Sequence, residues 1–284
     1  MTSAFLSEIR NSVSDIFKNR NRIIVMGVLN VTPDSFSDGG AFFDTDKAVQ
    51  RFFEMVHEGA DIIDIGGESS RPGSEPVSAE EELRRLLPVL EKVVPKCSVP
   101  ISIDTHKAEV AEAVLTAGAS IINDITALSA DDRLASVVAR QDAGLILMHM
   151  RGTPATMQSN TEYDHLIREI KDSLSKAVNH AEKAGVNPEL IMIDPGIGFG
   201  KDVQGNLDIL KSLDEFTELG KPVMVGASRK SFIGKLAGAP VDDRESGSLA
   251  AAVTAVLNGA SAVRVHNVAA TRQAVDIALK LRGD

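Results

Sequence analysis

Pro100-Ile101-Ser102-Ile103-Asp104-Thr105-His106-Lys107 leads through a helical stretch over residues 108–117 to Gly118-Ala119-Ser120-Ile121-Ile122-Asn123-Asp124. A short β-branched run, polar residues just beyond it, a helix, a glycine turn and a second β-branched run make one βα unit that feeds the next. That is the pattern of a parallel sheet.

Working outward, the same unit recurs. Strand runs begin near Ile23, Asp61, Pro100, Ser120, Gly144, Leu190, Pro222 and Ala262, each with a helical stretch after it. In the segment from Ala79 to Val94, Leu83, Leu86, Leu87, Leu90, Val93 and Val94 share one face, with a slight bend expected at Pro88. From Glu162 to Ala184, apolar residues keep the same period as far as Gly185, where a C-terminal cap belongs. Turns at Gly59, Gly118, Gly144, Gly220 and Gly259 return the chain from helix to strand. Eight units without a linker favour one closed α/β domain, a (β/α)8 TIM barrel. Because periodicity does not reveal closure, an open doubly wound sheet is the structural alternative. The expected division is 1–20, a short N-terminal helical extension that caps the barrel bottom or frays, and 21–284, the barrel domain.

The 284 residues are 43% hydrophobic and 25% charged with a net charge of −10, enough for a large core and unlike a nucleic-acid surface. Cys97 is the only cysteine, so no intrachain disulfide can form. Charged residues interrupt the apolar positions of the first twenty residues, and no run approaches a membrane span. A soluble cytoplasmic protein with no nucleic-acid or membrane partner is expected.

Polar residues gather just after the strand runs, the end where such barrels carry their sites. They are Asn30; Asp64, Glu68, Ser69, Ser70 and Arg71; Asp104 and His106; Asn123 and Asp124; Met148 and His149; Asp194; Ser228, Arg229 and Lys230; and Arg264 and His266. Any one of them would ordinarily cap the next helix, but all eight strands show the feature. The run Asp194-Pro195-Gly196-Ile197-Gly198-Phe199-Gly200-Lys201 has the spacing of neither a phosphate loop nor a dinucleotide loop. Its glycines are expected to bring backbone close to a flat ligand, with Asp194 accepting from a planar donor pair. Alternation places Arg264 and His266 on one side of strand eight, suited to a phosphate or pyrophosphate, and Asn30 is a candidate Mg2+ contact. The six histidines show no zinc spacing. Long loops at 30–44 and 66–78 have the length of lids or binding elements.

Residues 30–40, Asn-Val-Thr-Pro-Asp-Ser-Phe-Ser-Asp-Gly-Gly, and 66–73, Gly-Gly-Glu-Ser-Ser-Arg-Pro-Gly, resemble the first and second loop signatures of the dihydropteroate synthases. The resemblance continues at Asp104-Thr105-His106-Lys107, Ile122-Asn123-Asp124-Ile125, Met148-His149-Met150, 194–201, Ser228-Arg229-Lys230-Ser231 and Arg264-Val265-His266. It implies a transferase of folate biosynthesis that condenses 6-hydroxymethyl-7,8-dihydropterin pyrophosphate with p-aminobenzoate. It further implies a pterin pocket of Asp104, Asn123, Met148, Asp194 and Lys230, with Asn30, Ser70, Arg264 and His266 on pyrophosphate and Mg2+ bound at Asn30. Phe36, Arg71, Pro72, Phe199, Lys230 and Ser231 would shape the p-aminobenzoate site. Asp104, Asp194, Lys230, Arg264 and His266 would form the catalytic group, with Asp104 and Asp194 stabilising a cationic pterin. A homodimer is implied as well. Two positions depart from the family's usual residues, Ser70 for Thr and Asn267 for Asp, and the second is expected to loosen the orientation of His266. The competing readings are a pterin-binding methyltransferase barrel, which should lack the two substrate loops, and a non-catalytic pterin-binding relative.

Overall fold

The computed structural model describes residues 13–19, 21–32, 45–71 and 73–283. Eight parallel strands alternate with helices: β1 Ile24–Asn30, β2 Ile62–Gly66, β3 Ile101–Asp104, β4 Ile121–Asp124, β5 Gly144–Met148, β6 Ile191–Asp194, β7 Met224–Val225 and β8 Ala262–Val265. The strands are hydrogen-bonded in the order β6-β5-β4-β3-β2-β1-β8-β7. A parallel bridge from Ile193 to Val223 then brings β6 back to β7, so the sheet is a barrel and not an open doubly wound layer. The helices are α1 Thr45–His57, α2 Ala79–Val93, α3 Ala108–Thr116, α4 Leu134–Arg140, α5 Leu166–Lys183, α6 Val203–Lys211, α7 Leu213–Thr217, α8 Ser231–Ala237, α9 Glu245–Leu257 and α10 Val268–Arg282. None among the described residues is long and apolar enough to cross a membrane.

Strand alternation sorts the side chains into two cores. Ile63, Ile65, Ile101, Ile103, Ile122, Leu145, Leu147, Ile191 and Ile193 face the helices. Ile24, Met26, Ile62, Ile121, Ile146, Met192, Met224 and Ala262 fill the lower barrel interior, joined there by Val13 and Phe17. Residues 13–18 are helical, and Val13 and Phe17 are almost wholly buried, so this part of the extension lies against the barrel floor. Gly144 belongs to that floor and not to a turn: as the first residue of β5, a Cβ on it would stand 3.0 Å from both Ile121 and Val13. The turn before β5 is made by Asp142 with φ +48, a left-handed conformation that Asp tolerates better than most residues.

Ser78 caps α2 by accepting from the Glu81 amide, while the Glu81 carboxylate accepts from Arg84 and Arg85. The buried face of this helix is Glu82, Leu86, Val89, Leu90 and Val93. Leu87, expected on that face, is 38% exposed instead, because Val89 takes the inward position beside Leu86. The helix expected from Glu162 begins only at Leu166. Among the chain segments before it, Tyr163 donates to the Gly200 carbonyl and the His165 amide donates to Glu169, which ties the approach to α5 to the barrel mouth.

Candidate active site

Moving up the barrel interior, the inward positions change from apolar to charged. Asp64 lies opposite Ser102 on β3, and Asp104 lies opposite Asn123 on β4 one layer higher. A cleft of about 1050 Å³ opens above them at the C-terminal ends of the strands. Its walls bring together Asn30, Ser70, Arg71, Asp104, Asn123, Met148, Asp194, Phe199, Lys230, Ser231, Arg264 and His266. Every described residue singled out from the sequence for substrate or metal thus borders one cleft. Phe36 and Pro72 lie outside the described residues, as does most of the first long loop.

Arg264 reaches across the barrel. Its Nε donates to Asp64 Oδ2 at 2.6 Å and its Nη2 to Asp104 Oδ2 at 3.1 Å. Burial works against the guanidinium's charge, yet Asp64, Asp104 and Asp194 together hold its pKa above the ordinary value. The same Asp64 Oδ2 accepts from Asn123 Nδ2 at 3.1 Å. Burial pushes Asp104 up to about 7 against the pull of Arg264, with Asp64, Glu82 and Asp124 adding to the rise. Asp194 is likewise pushed up to about 6 by burial, opposed by the Gly196 amide and by Lys230, Lys201 and Arg264. Lys230 falls to about 8, first through burial and then through Arg264, and its ammonium sits 3.8 Å over the Phe199 ring.

The glycine run is constrained by protein neighbours more than by an approaching ligand. Gly196 has φ +74, and a Cβ there would fall 2.0 Å from the His149 carbonyl oxygen. A Cβ on Gly200 would strike Arg151, while Gly198 alone of the three borders the cleft. Asp194 Oδ1 fastens the turn by accepting from the Gly196 amide at 2.7 Å. Beneath it the buried Lys201 Nζ donates to the Phe199 carbonyl at 3.0 Å and contacts His149 Nδ1 at 2.9 Å. Burial drives that amine well below the ordinary lysine range and holds the imidazole neutral, lowering it to about 3.

His266 is not a ready-made cation. Burial, with Arg264, Arg229, Lys230 and Arg71 nearby, lowers it to about 3, which leaves the imidazole neutral in the free site. Its Nδ1 lies 3.0 Å from Ser228 Oγ. Asn267, expected to matter for His266, instead accepts from the Ala270 amide as the N-cap of α10. Ser228 therefore holds the imidazole, and the loss of a carboxylate at 267 bears on a helix end.

Of the strand-end polar residues, Asp64, Glu68, His106, Asp124 and His149 do not line the cleft. Asp124 accepts from the Thr126 and Leu128 amides, His149 pairs with Lys201, and Glu68 joins Glu82 in bonding Lys107. Conversely, Ile125, Met148, Met157 and Phe199 form an apolar cluster at the mouth, with Met150 packed against it. Ile125 and Met157 come from loops without periodicity, so only the tertiary fold identifies them. Asp64, counted in the sequence among the polar residues after strand two, lies inside the strand in Ile-Ile-Asp-Ile, and its role as a partner of other side chains was not legible there.

A model of the pterin-binding enzymes matches residues 26–266. The dihydropteroate synthase of Synechocystis sp. is 46% identical over 264 residues, covering 93% of this chain and 91% of that one. The Yersinia pestis dihydropteroate synthase, solved with a sulfonamide drug, superposes with TM-score 0.88 at 41% identity, over 94% of this chain and 96% of that one. The Xanthomonas albilineans enzyme matches in its complex with 4-aminobenzoic acid at TM-score 0.86, 42% identity and coverages of 93% and 94%. In its complex with 7,8-dihydropteroate it matches at TM-score 0.82, 40% identity and coverages of 93% and 95%. A barrel with this strand order, this cleft and likeness of this extent over nearly its whole length belongs to the pterin-binding enzyme family, among the dihydropteroate synthases.

Proposed function

We infer that this chain condenses 6-hydroxymethyl-7,8-dihydropterin pyrophosphate with p-aminobenzoate, giving 7,8-dihydropteroate and pyrophosphate. The observation that carries the reading is the cleft in which the half-buried Asp104 and the buried Asp194 face Arg264, His266 and Lys230 beside an apolar wall. The wall of Met148, Ile125 and Phe199 suits the faces of a flat ring. Asp194 accepts from a pair of ring N–H groups, and Asn123 and Lys230 complete the pterin edge.

The reaction breaks the bond from the pterin methylene carbon to pyrophosphate and forms one from that carbon to the aromatic amine, which then loses a proton. No protein nucleophile is needed. As the leaving group departs, positive charge builds on the pterin, and Asp104 and Asp194 stabilise it from fixed positions. Arg264 spends one N–H on Nε and one on Nη2 on protein carboxylates, so both Nη1 hydrogens and the second on Nη2 are retained for the pyrophosphate. His266 gives the leaving group a neutral hydrogen-bonding partner, with Ser70 beside it. Arg71, Phe199, Lys230 and Ser231 border the p-aminobenzoate side, to which Phe36 and Pro72 are assigned from the loop signatures.

Asn30 would hold Mg2+. Its amide oxygen packs 3.4 Å from where a Cβ on Gly66 would lie, at the neck of the second loop, and the described residues gather no cluster of three or more His, Cys, Asp or Glu. A single side-chain oxygen suits an ion that takes most of its octahedral positions from water and substrate phosphates. When bound, it would supply charge stabilisation to the departing pyrophosphate. We also infer a homodimer; Ile277 and Leu281, one turn apart on α10 and 64% and 73% exposed, support an interface on that helix.

The test is product formation by the purified protein given the pterin pyrophosphate, Mg2+ and p-aminobenzoate, with Asp194→Ala and Arg264→Ala as controls. Dihydropteroate from the wild type and none from either variant is the expected result. Pterin binding with no product would overturn the reading.

A further inference from the structure

We propose that Asp64 is a positioning residue for this reaction, fixing both the Arg264 guanidinium and the Asn123 amide through a single carboxylate oxygen. The inference rests on the function proposed above. Asp64 is fully buried and does not border the cleft, whereas Arg264, Asn123 and Asp104 do. Its Oδ2 accepts from Arg264 Nε at 2.6 Å and from Asn123 Nδ2 at 3.1 Å, and its Oδ1 has no hydrogen-bond partner.

Two consequences follow from that sharing. An oxygen that already accepts from a guanidinium can only accept again, so Asn123 must turn its NH2 toward Asp64. The amide orientation is thereby set, and Asn123 Oδ1, which has no protein partner, is left as the acceptor of that side chain. Arg264 is held at two points, Nε by Asp64 and Nη2 by Asp104, which fixes both the reach and the plane of a long side chain. Register supports the role: Asp64 pairs with Ser102 and Gly66 with Asp104, so Asp64 sits one inward step below the pocket floor. Lys107, Glu68 and Glu82 form a separate network behind β3, and none of them bonds Asp64.

The experiment compares Asp64→Ala and Asp64→Asn with the wild type, and each with and without Asn123→Ala. The readouts are affinity for 6-hydroxymethylpterin by fluorescence titration, KM for each substrate, kcat and melting temperature. Asp64→Ala should raise KM for the pterin pyrophosphate about tenfold or more, the scale of hydrogen bonds to charged groups, and lower kcat. KM for p-aminobenzoate should stay within about twofold, since Asp64 bonds neither Phe199, Lys230 nor Ser231. Asparagine can offer one oxygen to both partners and place its NH2 where Oδ1 has none, so Asp64→Asn should restore pterin KM to within about threefold. In the Asn123→Ala background, Asp64→Ala should weaken pterin binding less than it does alone.

Equal changes in both KM values, or full additivity with Asn123→Ala, would overturn the proposal. If Asp64→Ala does not fold, Asp64→Asn decides alone: a pterin KM raised about tenfold would also overturn it. A wild type that binds pterin without turnover would sink the synthase reading but leave the pterin-affinity comparison able to judge Asp64.

Discussion

Replacing Asp194 with asparagine is expected to stabilise the fold at pH 8 while removing the carboxylate proposed to accept from the pterin. The carboxyl is 3% exposed, and its pKa rises from an ordinary 3.8 to about 6, chiefly because burial disfavours the charge. The folded value lies above the unfolded one, so the folded chain holds the proton to higher pH. The ionised group therefore costs stability above about pH 6, and that cost disappears as pH falls below about 4. Across that gap the cost is ~3 kcal/mol at most, an order-of-magnitude figure. Asparagine keeps an oxygen for the Gly196 amide and carries no charge. Asp194→Asn should then unfold at a higher temperature than wild type at pH 8, by several degrees, with the difference vanishing near pH 4. Pterin binding should behave oppositely. In the wild type, affinity for 6-hydroxymethylpterin should fall about tenfold per pH unit below 6, once the ligand's own ionisation is subtracted, as the acceptor is protonated. Asp104 titrates from above, so the slope steepens if both carboxylates must be ionised. Calorimetric unfolding and fluorescence titration from pH 4 to 8 measure both effects. An Asp194→Asn variant less stable than wild type at pH 8, or a wild-type pterin affinity flat down to pH 5, would refute the assignment of burial as the dominant influence.

Other expected outcomes follow from single contacts. Gly196→Ala must relieve the 2.0 Å approach to His149 and adopt φ +74, so the turn that Asp194 fastens should move and pterin KM should rise about tenfold, read by steady-state kinetics. Lys107→Met strips the buried Glu82 of its ammonium partner at 2.6 Å and should cost ~3–5 kcal/mol in chemical denaturation, with KM for both substrates little changed in the fraction that folds. Ser228→Ala should lower kcat by about tenfold by releasing His266, on the scale of other orienting partners. With His266 neutral down to about pH 3, the acidic limb of the pH–rate profile should persist in His266→Gln, and its loss there would show that the imidazole titrates in the working range.

The fold was legible because its signal is local and repeated. Each βα unit carries its own β-branched run and helical period, and eight of them leave few arrangements. Closure was not legible, since it depends on the Ile193–Val223 bridge beside the two-residue β7, which periodicity cannot distinguish from a loop. The floor was half visible: the spacing of Val13 and Phe17 marked an amphipathic helix, but only the packed barrel shows Gly144 making room for Val13. At the site, residue types and loop signatures picked out the lining, because charged side chains at strand ends have few structural uses. Their partners were harder to read. Whether Asp124 caps a turn or faces a ligand depends on whether the Thr126 and Leu128 amides point back at it, and the sequence does not specify that. Asp64 and Ser228 act through other side chains, so no ligand chemistry marks them. The neutrality of His266 is collective, arising from burial and from arginines and a lysine on three separate segments.

A chain with net charge −10 nonetheless builds a site whose charges are close to balanced and spatially sorted. Inside the barrel, Asp64, Asp104 and Asp194 surround the Arg264 guanidinium, with Lys201 and Lys230 near Asp194. Arg71, Arg229 and Arg244, together with Glu75 and Asp242, line the cleft above them. This arrangement fits the proposed reaction, which separates charge: the ring that becomes cationic would lie against carboxylates and the departing anion would meet arginines. Burial raises the pKa of Asp104 and Asp194 and makes their charge costly to the folded chain. A cation forming between them relieves part of that cost as the bond to pyrophosphate breaks. The stabilisation is therefore larger in the transition state than with the neutral ring bound, which is the condition for accelerating the step and not merely tightening the complex.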